Sequence, residues 1–148
     1  PRAPEALVET AVPPPPIPRA LAPARKGRLL YIEDNPVNVL LIEELIRMRP
    51  GLTLESAGTG LAGVARAAAL RPDLILVDIQ LPDIDGFEVL RQIKLQPETA
   101  HIACIALSAN AMPNDIARAT AAGFSDYWTK PIDFGHFLGA LDKRFPAS

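Results

Sequence analysis

The chain has 148 residues, of which 49% are hydrophobic, and this is enough for one domain with a hydrophobic core. Its net charge of −2 argues against a nucleic acid partner and against binding to an anionic membrane surface. A single cysteine excludes an internal disulfide and a cysteine-built metal cage, and the lack of an apolar stretch of roughly 18 residues or of a secretory signal predicts a cytoplasmic segment without membrane contact.

Residues 1–27 differ from the rest of the chain in their proline content. They hold half of the 16 prolines, including an unbroken run at residues 13–16. Proline fixes φ and lacks a backbone donor, so we predict an extended, semi-rigid linker between domains. A docking motif for a proline-reading partner is the alternative. The missing initiator methionine suggests a segment of a longer protein or a processed product.

Apolar runs and helical patterns alternate along the remainder. The apolar runs predict five strands, at residues 28–32, 52–56, 74–77, 101–107 and 124–128. Apolar residues at helical spacing predict five helices, at residues 36–48, 61–70, 86–95, 113–122 and 133–143. Asn35 and Pro36 suit the start of the first helix, and Asp133 suits the start of the last. Cys104, inside the fourth apolar run, is predicted to be a small core residue.

This alternation predicts an α/β fold of the doubly wound type. Strands that alternate with helices form a parallel sheet with helices on both faces. Right-handed crossovers place the carboxyl ends of all five strands at one edge of the sheet. Ligands of such sheets bind at that edge.

Polar side chains follow four of the five strands at this edge. They are Glu33 and Asp34, Asp78, Ser108 and Lys130. Taken singly, each is explained as a helix cap, a turn residue or a surface lysine. Clustered acids repel one another and favour a hard divalent cation, and together with a hydroxyl and an ammonium they favour phosphoryl transfer to a carboxylate.

In this interpretation Asp78 attacks the phosphoryl donor in line. Asp34 and Asp78 bind Mg²⁺ directly, and Glu33 binds it through water. The backbone carbonyl of Gln80 completes the protein's share of ligands. The hydroxyl after the fourth strand and the ammonium after the fifth bind phosphoryl oxygens.

Four motifs resemble the response regulator receiver domains of two-component signalling. They are YIEDN at residues 31–35, LVDIQLPDIDG at 76–86, LSA at 107–109 and TKP at 129–131. The resemblance covers residue 28 to about residue 145, and we predict a receiver domain over residues 28–148. It implies a flavodoxin-like sheet with the strand order 2-1-3-4-5. The EDNPVN run at residues 33–38 is most similar to receivers at the C-terminus of hybrid sensor histidine kinases.

The resemblance implies a role for each acid at the sheet edge and for the lysine. Asp78 would be the phosphoacceptor, and Glu33 and Asp34 would be the acidic pair for Mg²⁺. Lys130 would pair with the phosphate and would be joined to Pro131 by a cis peptide bond.

The resemblance also implies a switch. Ser108 would be the switch hydroxyl and Tyr127 the coupled aromatic residue. Gln80 and Asn110 fall where the family tunes the lifetime of the aspartyl phosphate. Phosphorylation would alter the surface formed by the fourth helix, the fifth strand and the fifth helix, and a weak homodimer through that surface is expected.

The implied partner is a histidine kinase or a histidine phosphotransfer domain. Receivers catalyse their own phosphorylation and dephosphorylation, so an enzymatic label for the segment stays open. Trp128 stands where a smaller apolar residue is usual, and both a partner-contact residue and a core-edge residue remain open for it. His101 and His136 are predicted to be surface residues.

The sequence counts against three other functions. A scaffold that never accepts phosphate lacks, as a rule, one of the acids or the lysine, and all are present here. A phosphohydrolase with an aspartate nucleophile needs a second acid two residues later, where this chain has Gln80. A flavin-binding module needs a phosphate-cradling loop after the first strand, where this chain has Asn35 and Pro36.

Overall fold

A computed structural model describes residues 26–110 and 112–146, in which five strands alternate with five helices. In chain order the elements are β1 (Gly27–Ile32), α1 (Pro36–Ile46), β2 (Leu52–Ala57), α2 (Gly60–Leu70), β3 (Leu74–Asp78), α3 (Gly86–Leu95), β4 (Ala103–Ser108), α4 (Pro113–Ala122), β5 (Asp126–Thr129) and α5 (Phe134–Arg144). The proline-rich segment lies outside the described residues up to residue 25, and Gly27 already belongs to β1. None of the helices described is both long and apolar enough to cross a membrane.

The five strands form one sheet in the order β2-β1-β3-β4-β5, and every neighbouring pair is parallel. This confirms the predicted doubly wound, flavodoxin-like fold with five helices. The central strand β3 is buried along its whole length, as a strand with helices on both faces must be. Its last residue, Asp78, therefore lies in the middle of the carboxyl edge.

Alternate side chains of each strand enter one of two cores. Tyr31, Leu76 and Trp128 belong to the core under α1 and α5, whereas Ile75 and Val77 belong to the core under α2, α3 and α4. The period-two alternation of a strand produces this division. Residues next to the strand ends belong to both cores, Leu107 to the first and Ile32 and Val77 to the second. The packing of the cores therefore extends to the carboxyl edge.

Side-chain caps fix four of the helix starts. The side chains of Asn35, Thr59, Asp85 and Asp133 accept a backbone N–H from the first turns of α1, α2, α3 and α5. Each cap satisfies a donor that the helix itself leaves unpaired. The prediction that Asn35 and Pro36 begin α1 and that Asp133 begins α5 is confirmed.

The structure differs from the predicted boundaries by two residues at three elements and by one residue at five others. α1 ends at Ile46 and not at residue 48, because the residues that follow form hydrogen bonds to the residue three positions earlier and not four, such as Met48 N–H to Leu45 O at 3.1 Å. β4 begins at Ala103 and not at 101. β5 covers Asp126–Thr129 and not 124–128, because Phe124 packs edge-on against Phe87 in the core, with ring centroids 5.8 Å apart.

Cys104 and Trp128 are both buried, and this bears on the role of each. Cys104 is fully buried, as predicted. Trp128 is 6% exposed, contacts Phe137 edge-on and donates its indole N–H to Asp126 at 2.9 Å. Of the two roles left open for Trp128, the structure therefore favours the core residue. His101 and His136 are exposed, as predicted.

Candidate functional site

Three acids meet at the carboxyl edge because their strands are neighbours. β1 pairs with β3 in a register that places Ile32 opposite Val77, so the residues that follow these positions come together. Oxygens of Glu33, Asp34 and Asp78 all lie within 4.8 Å of one another. Glu33 and Asp78 are buried, whereas Asp34 is exposed. Oxygen donors in this arrangement are the kind of ligand set that Mg²⁺ takes in proteins.

Lys130 joins the two buried acids. Its Nζ donates to Oε1 of Glu33 at 2.6 Å and to Oδ2 of Asp78 at 3.0 Å. The lysine follows β5, and its backbone N–H donates to Ser108 O at 2.8 Å. The peptide bond to Pro131 is cis, as predicted. Lys130 thus reaches across the end of β4 to the acids of β1 and β3.

The carboxylate of Glu33 accepts four hydrogen bonds. Besides Lys130, its donors are the hydroxyl of Tyr31 at 2.9 Å, the side-chain amide of Asn38 at 3.3 Å and the backbone N–H of Asn35 at 3.2 Å. Both oxygens are engaged, so the carboxylate is held in one orientation. Sequence reasoning missed Tyr31 and Asn38. Only Tyr31 carried a signal, because it lies two residues before Glu33 and so on the same face of the chain.

The two buried acids differ in proton affinity. Burial raises the pKa of Asp78, the neighbouring Glu33 raises it further, and hydrogen bonds from Lys130 and Gln80 offset part of this, leaving a pKa of about 6. Burial also acts to raise the pKa of Glu33, but the hydrogen bond from Lys130, the interaction with the carboxyl group of Asp78, and the smaller effects of the Tyr31 hydroxyl and a backbone N–H lower it to about 2. The ionised form of Asp78 is therefore the costly one, and a cation beside it would relieve that cost.

The lysine remains charged between these acids. Burial acts to lower the pKa of Lys130, but its hydrogen bonds to Glu33 and Asp78 outweigh burial and raise the pKa above its usual value. A fixed ammonium at this position attracts negatively charged oxygens.

Ser108 and Tyr127 are linked through Asn110. Ser108 is buried at the end of β4, and its hydroxyl oxygen accepts the backbone N–H of Asn110 at 3.1 Å. The half-buried Tyr127 donates its hydroxyl to the backbone carbonyl of Asn110 at 2.5 Å. The predicted hydroxyl and aromatic residue therefore contact the same short segment after β4.

The loop that follows β3, residues 79–85, folds back over the strand end. The backbone N–H of Gln80 donates to Oδ1 of Asp78 at 3.0 Å, which places the backbone of Gln80 against the candidate acceptor. The loop closes where Gly86 donates its N–H to Ile79 O at 2.9 Å. A side chain at Gly86 would lie 2.8 Å from Ile79 Cα and 2.9 Å from Asp78 O, so only glycine permits this approach.

A family model and curated relatives match the part of the chain that carries this site. The model of the response regulator receiver domain matches residues 29–142. The polar-differentiation response regulator DivK of Brucella anthropi is 38% identical over 113 residues, which are 76% of this chain and 91% of that protein. DivK of Brucella ovis is 37% identical over the same share of both chains.

Solved structures agree with these matches. The receiver domain of the sensor histidine kinase PA1611 from Pseudomonas aeruginosa, which has a magnesium ion coordinated in its active site cleft, is 34% identical with a TM-score of 0.72. The alignment covers 80% of this chain and 96% of that domain. The receiver domain of a signal transduction histidine kinase from Syntrophus aciditrophicus is 28% identical, with a TM-score of 0.71 over 80% and 89% of the two chains.

Proposed function

This chain belongs to the response regulator receiver family, and we propose that Asp78 is the residue on which it accepts a phosphoryl group. It is a receiver domain of a two-component phosphorelay, and members of that family interact with histidine kinases or phosphotransfer proteins. The observation that carries the assignment to Asp78 is its position. It is the buried acid at the centre of the carboxyl edge, in contact with Lys130 and within 4.8 Å of the other two acids.

In the proposed reaction a carboxylate oxygen of Asp78 attacks the phosphorus of a phosphohistidine. The P–N bond breaks as the P–O bond forms, and the electron pair of the broken bond remains on the imidazole nitrogen. Oδ2 faces the ammonium of Lys130, which is positioned to pair with an equatorial oxygen of the phosphoryl group. The hydroxyl of Ser108 and nearby backbone N–H groups serve the others. Such pre-positioned charges supply most of the catalysis in phosphoryl transfer.

The same residues fit a magnesium ion. Asp34 and Asp78 would bind it directly, with the backbone carbonyl of Gln80 as a further ligand. Glu33 would act through water, because four donors already occupy its carboxylate. When bound, Mg²⁺ supplies positive charge that offsets the carboxylates and the phosphoryl oxygens. The PA1611 receiver with magnesium in its active site cleft supports this assignment.

Phosphorylation of Asp78 would place a charge of roughly −1.5 to −2 at the sheet edge. We infer that Ser108 and Lys130 move toward this charge and that Tyr127 turns inward behind them. The hydrogen bond from Tyr127 to the backbone carbonyl of Asn110 joins this aromatic residue to the segment next to Ser108. The surface of α4, β5 and α5 then changes. Gln80 and Asn110 are the residues proposed to tune the phosphate lifetime.

The proposed donor is a phosphohistidine on a histidine kinase or a histidine phosphotransfer domain in the cytoplasm. We propose that residues 28–148 are the C-terminal receiver of a hybrid kinase and that residues 1–27 are the linker to it. A weak homodimer through α4, β5 and α5 is part of the proposal. Sedimentation of the chain with and without beryllium fluoride tests it, and unchanged monomer behaviour in both conditions would contradict the dimer.

Intact-protein mass after incubation with acetyl phosphate and MgCl₂ tests the acceptor. We expect a phosphoryl adduct on the native chain that is lost in mild base, as an acyl phosphate is, and none on Asp78→Asn. Asp73→Asn is the matched control, because Asp73 is an exposed acid at the other edge of the sheet, where it accepts the N–H of Arg28. An adduct on Asp78→Asn, or its loss in Asp73→Asn, would contradict the assignment.

A further inference from the structure

We propose that Asp83 is a positioning residue for the magnesium site. Its carboxylate joins the middle of the loop at residues 79–85 to the first turn of α2. It thereby anchors residues 80–84, the loop crest, and holds the backbone of Gln80 against Asp78. The inference rests on the proposed function, since Gln80 is the ligand it would position. Asp83 lies outside the cluster of acids whose oxygens meet at the site, so its contribution is made through the loop.

The tie consists of two hydrogen bonds between residues far apart in the chain. Oδ1 of Asp83 accepts the backbone N–H of Gly60 and Oδ2 accepts that of Leu61, each at 2.8 Å. Both carboxylate oxygens thus bind the amino end of α2, where backbone donors have no partner within the helix and the helix dipole favours negative charge. These bonds lower the pKa of the Asp83 carboxyl group, so this carboxyl group is ionised at neutral pH.

A second contact joins the same loop to the same helix end. The side chain of Ile84 packs against Gly60 so closely that a Cβ on this glycine would lie 2.5 Å from Cγ1 of Ile84. Two consecutive loop residues, one polar and one apolar, therefore meet the first residue of α2. The amino end of α2 therefore supports the loop through both a polar and an apolar contact.

The rest of the loop has few other attachments. Its ends are fixed by Ile79 N–H to Leu107 O at 3.0 Å and by Gly86 N–H to Ile79 O at 2.9 Å. Between them, in the part of the chain that the structure describes, residues 80–84 are joined to other elements by the N–H of Gln80, which donates to Oδ1 of Asp78 at 3.0 Å, and by the two hydrogen bonds of Asp83 to α2. Without the bonds of Asp83, the backbone of Gln80 keeps only its own N–H bond to Asp78 and the apolar contacts of the loop, and its carbonyl is held less firmly.

Thr59 provides a matched control at the same helix end. Its hydroxyl oxygen caps α2 by accepting the N–H of Ala62 at 3.0 Å, and it makes no described contact with the loop crest. Thr59→Ala and Asp83→Ala each remove an acceptor from the first turn of α2, so both weaken the helix start. Only Asp83→Ala releases the loop.

The test is the Mg²⁺ affinity of the full chain, measured by ¹⁵N NMR titration with MgCl₂ and followed at the amide of Gln80. We expect Asp83→Ala to weaken Mg²⁺ binding by about tenfold, as loss of an outer-shell support does. Thr59→Ala should keep the native affinity although its urea midpoint falls like that of Asp83→Ala. Asp83→Asn, which retains one oxygen acceptor, should bind with intermediate affinity.

Native affinity in Asp83→Ala would overturn the proposal, and so would an equal loss in Thr59→Ala, since the site would then respond to helix stability alone. A native chain that shows no Mg²⁺ binding would overturn the proposed function together with this inference. That outcome is told apart from the first two because they require the native chain to bind Mg²⁺ normally.

Discussion

Replacing Asp78 by asparagine should stabilise the domain in the absence of metal. The buried carboxyl group has a pKa of about 6 against an ordinary value of 3.8, so its ionised form is penalised by folding. The difference of 6 − 3.8, about two pKa units, corresponds to about 3 kcal/mol of unfolding free energy. Its side chain is 7% exposed, so little of this is lost to solvent screening. Asparagine turns one acceptor facing Lys130 or Gln80 into a donor, and we therefore expect a net gain of about 1–2 kcal/mol.

The sign of the effect depends on pH. Below pH 3.8 the carboxyl group is protonated in both states and the penalty is absent. Between about pH 4 and pH 6 the unfolded chain has lost the proton while the folded chain keeps it, so the native protein loses stability as the pH rises. Above about pH 6 the penalty is constant. The advantage of Asp78→Asn should therefore grow from pH 4 to pH 6 and then level off.

Urea unfolding in EDTA at several pH values measures this difference. Addition of MgCl₂ should stabilise the native chain and leave Asp78→Asn nearly unchanged, because an ion that binds only the folded state adds to stability by mass action. Equal stability of the two proteins at pH 7.5 in EDTA, or a constant difference between pH 4 and pH 7, would refute the reasoning.

Three further substitutions have defined outcomes. Glu33→Gln breaks the buried pair with Lys130 and should lower the free energy of unfolding by about 3 kcal/mol at pH 7. Because the pKa of Glu33 is lowered from 4.5 to about 2, the difference in urea midpoint should fade as the pH drops from 4.5 to about 2. A loss of stability that does not depend on pH would contradict the pairing. Gly86→Ala forces a Cβ to within 2.8 Å of Ile79 Cα and should lower stability by about 1–3 kcal/mol; an unchanged thermal midpoint would show that the loop adjusts freely. Asn35→Ala removes the cap that accepts the N–H of Val37 at 2.9 Å and should cost about 1 kcal/mol in a urea titration, whereas a native midpoint would mean that the cap is dispensable.

Local signals in the sequence were enough for the fold and for the site acids. Asn35, Pro36 and Asp133 determine their helix starts through neighbours a few residues away, so those starts could be predicted. The apolar run of β3 and the acid that ends it are also local features. The alternation of elements then places the strand ends at one edge.

Features that depend on distant contacts could not be predicted in this way. The start of β5 is determined by the packing of Phe124 against Phe87, 37 residues earlier in the chain. The bonds of Asp83 to Gly60 and Leu61 span 23 and 22 residues, and nothing in the spacing marks them. Of the four donors on Glu33, Asn38 and Lys130 likewise become visible only once α1 and the end of β5 have come together with β1.

Borohydride trapping tests the acceptor assignment most directly, because hydride reduces an aspartyl phosphate to homoserine at the residue that carries it. The native chain, phosphorylated by acetyl phosphate with MgCl₂ and then reduced, should yield homoserine at Asp78 and at no other aspartate in peptide mass spectra. Homoserine at Asp34 or at another acid, with Asp78 unmodified, would contradict the account.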